Sequence, residues 1–135
     1  MIGKVFLDSN VILDVLLSRN GKEAAGAVLQ AGCGGAVQLC TSVLSFANIA
    51  YVLRKYFSGE ELRGMLRSIT ANLSILPMGD QIVYESLNVW GPDYEDVLQY
   101  VCADYSRCDC IVTSDVKHYT GSAIPVYTPS QFIGK

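Results

Sequence analysis

Short apolar runs alternate with longer amphipathic stretches along the 135-residue chain. Apolar runs that stop at a polar residue are typical of buried strands, whereas apolar positions that recur every three or four residues are typical of helices. The pattern predicts strands at 5–7, 37–41, 73–76, 110–113 and 126–127. It predicts helices at 11–17, 22–31, 42–56, 58–71, 80–89 and 94–105. This alternation indicates a three-layer α/β fold with a central, mostly parallel sheet flanked by helices.

Several helix starts carry capping signals. Ser9 and Asn10 precede the helix predicted at 11–17, and either Ser42 or Ser45 can begin the next helix after the second strand. Asp93 precedes the helix predicted at 94–105, where a side-chain oxygen can accept from a free backbone N–H. Ser58, with Glu61 three residues later, has the spacing of a capping box. The segment 129–132 follows the last predicted strand and is assigned no element.

Composition favours a single domain that spans 1–135. Half of the residues are hydrophobic, which is enough to build a core without disulfide or metal staples, and the length is typical of one domain. No apolar run approaches the roughly 20 residues that cross a bilayer. Asp8 also interrupts the first apolar run too early for a signal peptide. We therefore expect a cytoplasmic protein with no membrane partner.

The cysteine content and the distribution of charge restrict the kinds of site that the sequence can form. Five cysteines without a CxxC pair and a single histidine are poor material for a zinc site or a disulfide framework, so we interpret the thiols as small core side chains. The net charge of −3 does not by itself indicate a nucleic-acid-binding protein. Acids are concentrated between 80 and 115, and bases precede them between 54 and 67. This distribution fits either metal ions that meet a polyanion or two solvated helix faces.

Acidic side chains follow two of the predicted strands. Asp8 comes directly after the first strand, Asp115 comes just after the fourth, and Asp96 lies in the first turn of the helix between them. Each acid alone has a structural explanation as a cap or turn residue. Together at the carboxyl edge of a parallel sheet they would repel one another unless a cation neutralised them. Oxygen ligands, with Asn10 and Thr113 beside them, favour Mg²⁺ or Mn²⁺.

Three segments resemble the motifs of PIN domains, in particular the bacterial branch that includes VapC-type toxins. They are VFLDSNVILD at 5–14, DYEDVLQY at 93–100 and IVTSD at 111–115. The order of elements is similar along essentially the whole chain. The resemblance implies a Mg²⁺- or Mn²⁺-dependent endoribonuclease that hydrolyses RNA phosphodiester bonds, either alone or as the toxin of a toxin–antitoxin pair. It further implies an antitoxin protein and a homodimer as partners.

The resemblance also assigns roles to individual residues. Asp8 and Asp96 would be catalytic metal ligands, and Asp115 would complete the site directly or through water. Asn10 and Thr113 would supply supporting hydrogen bonds. By their charge, three further residues are expected to contact the RNA backbone: Arg54, Lys55 and Lys117.

One position departs from the family pattern. The helix after the second strand usually carries a glutamate, and here Asn48 takes its place. An amide oxygen can ligate a hard cation but brings no charge, so we expect weaker metal binding, and Asn48→Glu is predicted to raise Mg²⁺ affinity. The alternative function is therefore a catalytically weakened PIN domain that binds RNA or a protein.

A different class of function remains open as a third interpretation. In a receiver-like or haloacid-dehalogenase-like domain, Asp8 would carry a phosphoryl group. The segment Asp8-Ser9-Asn10 lacks the second aspartate usual in the latter, and no separate phosphoacceptor strand is found. His118, three residues after Asp115, is interpreted as a surface histidine.

Overall fold

A five-stranded parallel sheet forms the centre of the protein. The computed structural model describes residues 3–134. The strands are β1 (Lys4–Leu7), β2 (Gln38–Ser42), β3 (Ser74–Leu76), β4 (Cys110–Val112) and β5 (Val126–Tyr127). Their order across the sheet is β3-β2-β1-β4-β5, and every neighbouring pair is parallel. The predicted α/β fold class is confirmed.

Helices pack on both faces of this sheet. Those within residues 3–134 are α1 (Ser9–Leu16), α2 (Lys22–Cys33), α3 (Val43–Leu53), α4 (Gly59–Thr70), α5 (Asp80–Ser86), α6 (Tyr94–Tyr105) and α7 (Pro129–Ile133), with a 3₁₀ helix at Val116–Tyr119. Val5 and Leu7 of β1 point into a core shared with α1 to α4 and α7. Phe6 points the other way, into a core shared with α5 and α6. This alternation places the helices in two layers, because successive side chains of a strand lie on opposite faces.

The apolar character of α1 is accounted for inside this chain. Its residues Val11, Ile12 and Leu13 are buried in the core that α1 shares with α2 and α3. The helix therefore needs no second copy of the protein to cover these side chains.

Several element ends differ from the prediction because a different residue provides the cap. The first helix begins at Ser9, two residues earlier than expected, because the Asp8 carboxylate accepts from the Ser9 N–H. Ser58 precedes α4 but makes no side-chain capping bond, so the predicted capping box is wrong. A capping box forms instead between Thr128 and Gln131. It begins α7, which was not predicted.

The cysteines bear out their interpretation as core side chains in four of five cases. Cys33 is exposed, and the other four are buried and free. The Sγ atoms of Cys40 and Cys108 lie 3.6 Å apart between the sheet and the segment that follows α6.

Across residues 3–134, none of the helices has the length and apolarity that a bilayer crossing requires.

Candidate functional site

The carboxyl edge of the sheet brings Asp8 and the segment after β4 together. Strands β1 and β4 are adjacent, with Leu7 opposite Val112. The next residues in each chain segment, Asp8 and Thr113, therefore leave the sheet side by side, and the Thr113 hydroxyl donates to Asp8 Oδ2 at 2.9 Å. Because α6 precedes β4 and runs against the strands, its first turn, with Asp96, returns to the same edge.

Asp8 is a buried carboxylate with three hydrogen-bond donors. The Ser9 N–H donates to Oδ1 at 2.7 Å, and the Thr113 and Tyr119 hydroxyls each donate to Oδ2 at 2.9 Å. Burial raises the pKa of Asp8, and the hydrogen bonds from Thr113 and Tyr119 oppose that rise. An ionised carboxylate offers about four acceptor positions. Asp8 therefore caps α1 and still has acceptor capacity for a cation.

Asp96 also has a raised pKa. Desolvation raises its pKa to about 7, and the negative charges of Asp8 and Asp93 add to the rise. The His118 Nδ1 atom lies 3.1 Å from Asp96 Oδ2. The electrostatic interaction with His118 partly opposes the rise in the pKa of Asp96. Burial, together with the nearby negative charges, disfavours the ionised form of Asp96, and a bound cation would offset both effects.

Asp115 completes the acidic edge from the other side of Asp8. Its N–H donates to Thr113 Oγ1 at 3.1 Å, and its charge contributes to the raised pKa of Asp8. The Asp115 side chain is exposed and makes no hydrogen bond with other residues in the range 3–134. It is thus open to a ligand.

Thr113 and Asn10 form the hydrogen-bond frame of these acids. The Asn10 amide donates to Thr113 Oγ1 at 3.3 Å and its oxygen accepts from the Ser114 N–H at 3.1 Å. Thr113 Oγ1 therefore accepts from Asn10 and Asp115 while donating to Asp8. This frame fixes the start of α1 against the end of β4.

The closest set of ligand atoms differs from the predicted trio. Side-chain ligand atoms of Asp93, Asp96 and His118 all lie within 4.8 Å of one another. Asp93 is also the N-cap of α6 and accepts from the Asp96 N–H at 3.3 Å. The histidine interpreted as a surface residue is therefore part of the site, although 39% of its side chain is exposed.

Asn48 lies at the site but makes an unexpected contact. It is half-buried in the second turn of α3, and its amide donates to Glu95 Oε1 at 2.6 Å. Glu95 precedes Asp96 in α6 and is exposed, and its charge adds to the raised pKa of both Asp96 and Tyr119.

Two further residues of the site were missed by sequence reasoning. Tyr119 is buried beside Asp8, 111 positions away in the chain. Gln99 is 1% exposed, accepts from the Ser42 hydroxyl and donates to Ser45 Oγ at 2.8 Å. Gln99 could have been found from the sequence, because a glutamine on the inward face of a predicted helix is a signal for a buried hydrogen bond. Tyr119 had no such signal, because no nearby residue indicates that it contacts Asp8.

The three basic residues expected to contact RNA do not lie together. Lys117 is in the 3₁₀ helix, two residues after Asp115, and is exposed. Arg54 and Lys55 follow the last residue of α3. That helix starts at the carboxyl edge and runs away from it for about 16 Å. The Arg54 guanidinium lies over the Tyr51 ring, 4.1 Å from its centroid.

The donor set fits a hard divalent cation. The carboxylates of Asp8, Asp96 and Asp115 belong to one edge of the sheet; that of Asp8 is buried, and the pKa of Asp96 is about 7. Mg²⁺ and Mn²⁺ prefer such oxygen ligands, and Mn²⁺ also accepts a histidine nitrogen such as that of His118. A small surface cleft beside Asp96 is lined also by His118 and Trp90.

Comparison with known proteins is consistent with this geometry. The family model of the PIN domain matches residues 4–117. Ribonuclease VapC1 from Aquifex aeolicus (strain VF5) is 30% identical over 136 residues, which cover 96% of this chain and 92% of that protein.

Solved structures share the fold at low sequence identity. A toxin–antitoxin complex from Klebsiella pneumoniae matches with a TM-score of 0.70 and 18% identity, over 93% of this chain and 97% of the other. The DNA-bound VapBC from Salmonella typhimurium matches with a TM-score of 0.68 and 17% identity, over 95% and 99%. The resemblance inferred from three short motifs is therefore confirmed, and this chain belongs to the PIN-domain family.

Proposed function

We propose that the protein is a metal-dependent endoribonuclease that uses Mg²⁺ or Mn²⁺ to hydrolyse RNA phosphodiester bonds. The observation that supports the proposal is the position of Asp8, Asp96 and Asp115 at one edge of the sheet in a PIN domain. Ribonuclease VapC1, to which this chain is similar over nearly its full length, supports the reaction class.

Each acid has a distinct task in this proposal. Asp8 is held rigid by its three donors and anchors the cation, while Asp115 offers an open carboxylate from the 3₁₀ helix. Asp96 faces the cleft and is held by His118. A divalent cation in such a site activates a water molecule and stabilises negative charge on the phosphate and the leaving oxygen.

The cleft beside Asp96 is the proposed substrate path. Trp90 is 81% exposed at its rim, so that an unpaired base can stack on the indole. Lys117 is exposed close to Asp115 and is placed to contact a phosphate. Arg54 and Lys55 would contact only RNA that extends along α3.

The proposal includes a biological setting. The structural matches include toxin–antitoxin complexes, which supports a role as the toxin of such a pair in the cytoplasm, with an antitoxin as partner. The homodimer expected from the family stays a prediction.

A cleavage assay with matched variants tests the reaction. Mg²⁺ or Mn²⁺ is titrated into the wild type, Asp8→Asn/Asp96→Asn and the control Asp80→Asn/Asp104→Asn, which removes two exposed acids outside the site. We expect metal-dependent cleavage of a mixed single-stranded RNA pool by the wild type and the control only. The other double variant should lose at least about a hundredfold in rate, because the cation loses two ligands.

The outcomes separate the two functions that the sequence left open. Metal binding without cleavage would favour the alternative, a weakened PIN domain that binds RNA or a protein, which the uncharged Asn48 supports. A folded wild type that neither binds metal nor cleaves RNA would refute the enzyme.

A further inference from the structure

The contact between Asn48 and Glu95 joins two helices at the acidic edge. Asn48 stands where the family usually carries a glutamate, and its amide nitrogen lies 2.6 Å from Glu95 Oε1. An amide N–H₂ is a donor and a carboxylate is an acceptor. The position that lacks an acid therefore holds one from the neighbouring helix.

A buried hydrogen-bond network sets this pairing. Gln99, one turn after Glu95 in α6, donates to the Ser45 hydroxyl and accepts from the Ser42 hydroxyl. Ser45 is three residues before Asn48 and Gln99 is four residues after Glu95, so both contacts join the first two turns of α3 and α6 at the carboxyl edge of the sheet. Because Gln99 and Ser45 are buried, this contact holds the start of α6 against the start of α3. Glu95 is thus held toward Asn48.

The location of Glu95 suits a metal ligand better than a surface contact alone. It lies between Asp93 and Asp96 in the first turn of α6, at the sheet edge where Asp8 also lies. Its carboxylate is exposed, so an ion from solvent can reach it. Asn48 occupies Oε1 and leaves Oε2 without a hydrogen bond within residues 3–134.

We infer that Glu95 supplies the acidic charge that position 48 lacks and that Asn48 is its positioning residue. The inference rests on the proposed function, since it concerns the same cation. The site then has four carboxylates, from Asp8, Asp96, Asp115 and Glu95. Affinity for hard cations rises with the number of charged ligands, so the departure at position 48 does not weaken the site. In this protein the acid is supplied by α6 instead of α3.

Mn²⁺ binding, measured directly and without RNA, tests this inference. The Mn²⁺ affinities of the wild type and three variants are determined by calorimetry and by electron paramagnetic resonance of free Mn²⁺. Glu95→Gln keeps an acceptor for Asn48 and removes only the charge. Glu85→Gln is the matched control, because Glu85 is also exposed and accepts from an amide, that of Gln81, at 3.1 Å. Asn48→Glu/Glu95→Gln returns the charge to α3.

We expect Glu95→Gln to weaken Mn²⁺ binding about tenfold or more, with a melting temperature like that of the wild type. Glu85→Gln should bind as the wild type does, and the double variant should recover most of the lost affinity. If Glu95→Gln binds Mn²⁺ as tightly as Glu85→Gln does, the contact is only structural and the inference is overturned. If the folded wild type binds no Mn²⁺, the proposed function fails as well. These two failures are therefore distinguishable.

Discussion

Replacing Asp96 by asparagine should stabilise the metal-free protein at pH 8. The pKa of Asp96 is about 7 against an ordinary 3.8, and one pKa unit corresponds to about 1.4 kcal/mol. The full difference is about 4 kcal/mol. Since 14% of the side chain remains exposed and water screens the charge, we expect about 1–2 kcal/mol.

The pH dependence of this gain follows from the direction of the shift. Below about pH 4 the carboxyl is protonated in both the folded and the unfolded wild type, so the variant gains nothing. As pH rises from about 4 to about 7, the unfolded chain releases its proton first and the wild type loses stability. The advantage of the variant should therefore grow over that range and then level off.

Urea denaturation followed by circular dichroism, with a chelator present, measures both effects. Asp104→Asn removes an exposed acid of the same helix and serves as the control, with an expected change below about 0.5 kcal/mol. An Asp96→Asn variant that is no more stable than the wild type at pH 8, or that differs equally at pH 4 and pH 8, would refute the view that the buried carboxylate of Asp96, with like charges near it, destabilises the metal-free protein.

Two further predictions concern the scaffold. Gln99→Ala removes the side-chain partner of the buried Ser42 and Ser45 hydroxyls and opens a cavity where α6 meets the start of α3, so we expect a loss of about 2–4 kcal/mol in urea denaturation. A loss below about 1 kcal/mol would contradict the network. Gly32→Ala places a Cβ against the side chain of Leu39 in β2 and should cost about 1–3 kcal/mol in thermal denaturation. Its control is Gly26→Ala in the same helix, where the added Cβ has no neighbouring atom within 4 Å. We expect this control to gain up to about 1 kcal/mol in stability. Equal effects of the two substitutions would contradict the packing of Gly32 against Leu39.

Sequence patterns predicted those parts of the protein that depend on local signals. The bounds of α6 and β5 agree with the prediction at both ends. Helix α6 has a strong cap in Asp93 and a break before it at Gly91-Pro92. Asp8 and Asp115 were placed at one edge because parallel strands that end in acids leave few alternatives.

Cross-helix partners could not be predicted in the same way. The hydrogen bond between Asn48 and Glu95 spans 47 positions and that between Tyr119 and Asp8 spans 111. Neither has a signature in the spacing of nearby residues. The same limit applies to caps: Ser58 has the capping-box spacing without the bond, because whether the side chain turns toward the backbone depends on its surroundings.

The central position of β1 in the sheet has a consequence for biosynthesis. Asp8 leaves the ribosome 105 positions ahead of its partner Thr113. At about 5–20 residues per second, that interval lasts roughly 5–20 s. Strand β1 can pair with β2 during this time, but its other edge stays open until β4 emerges. A nascent chain, or a product truncated before β4, therefore carries the first acid without the site, and the acidic centre assembles only after β4 has been synthesised.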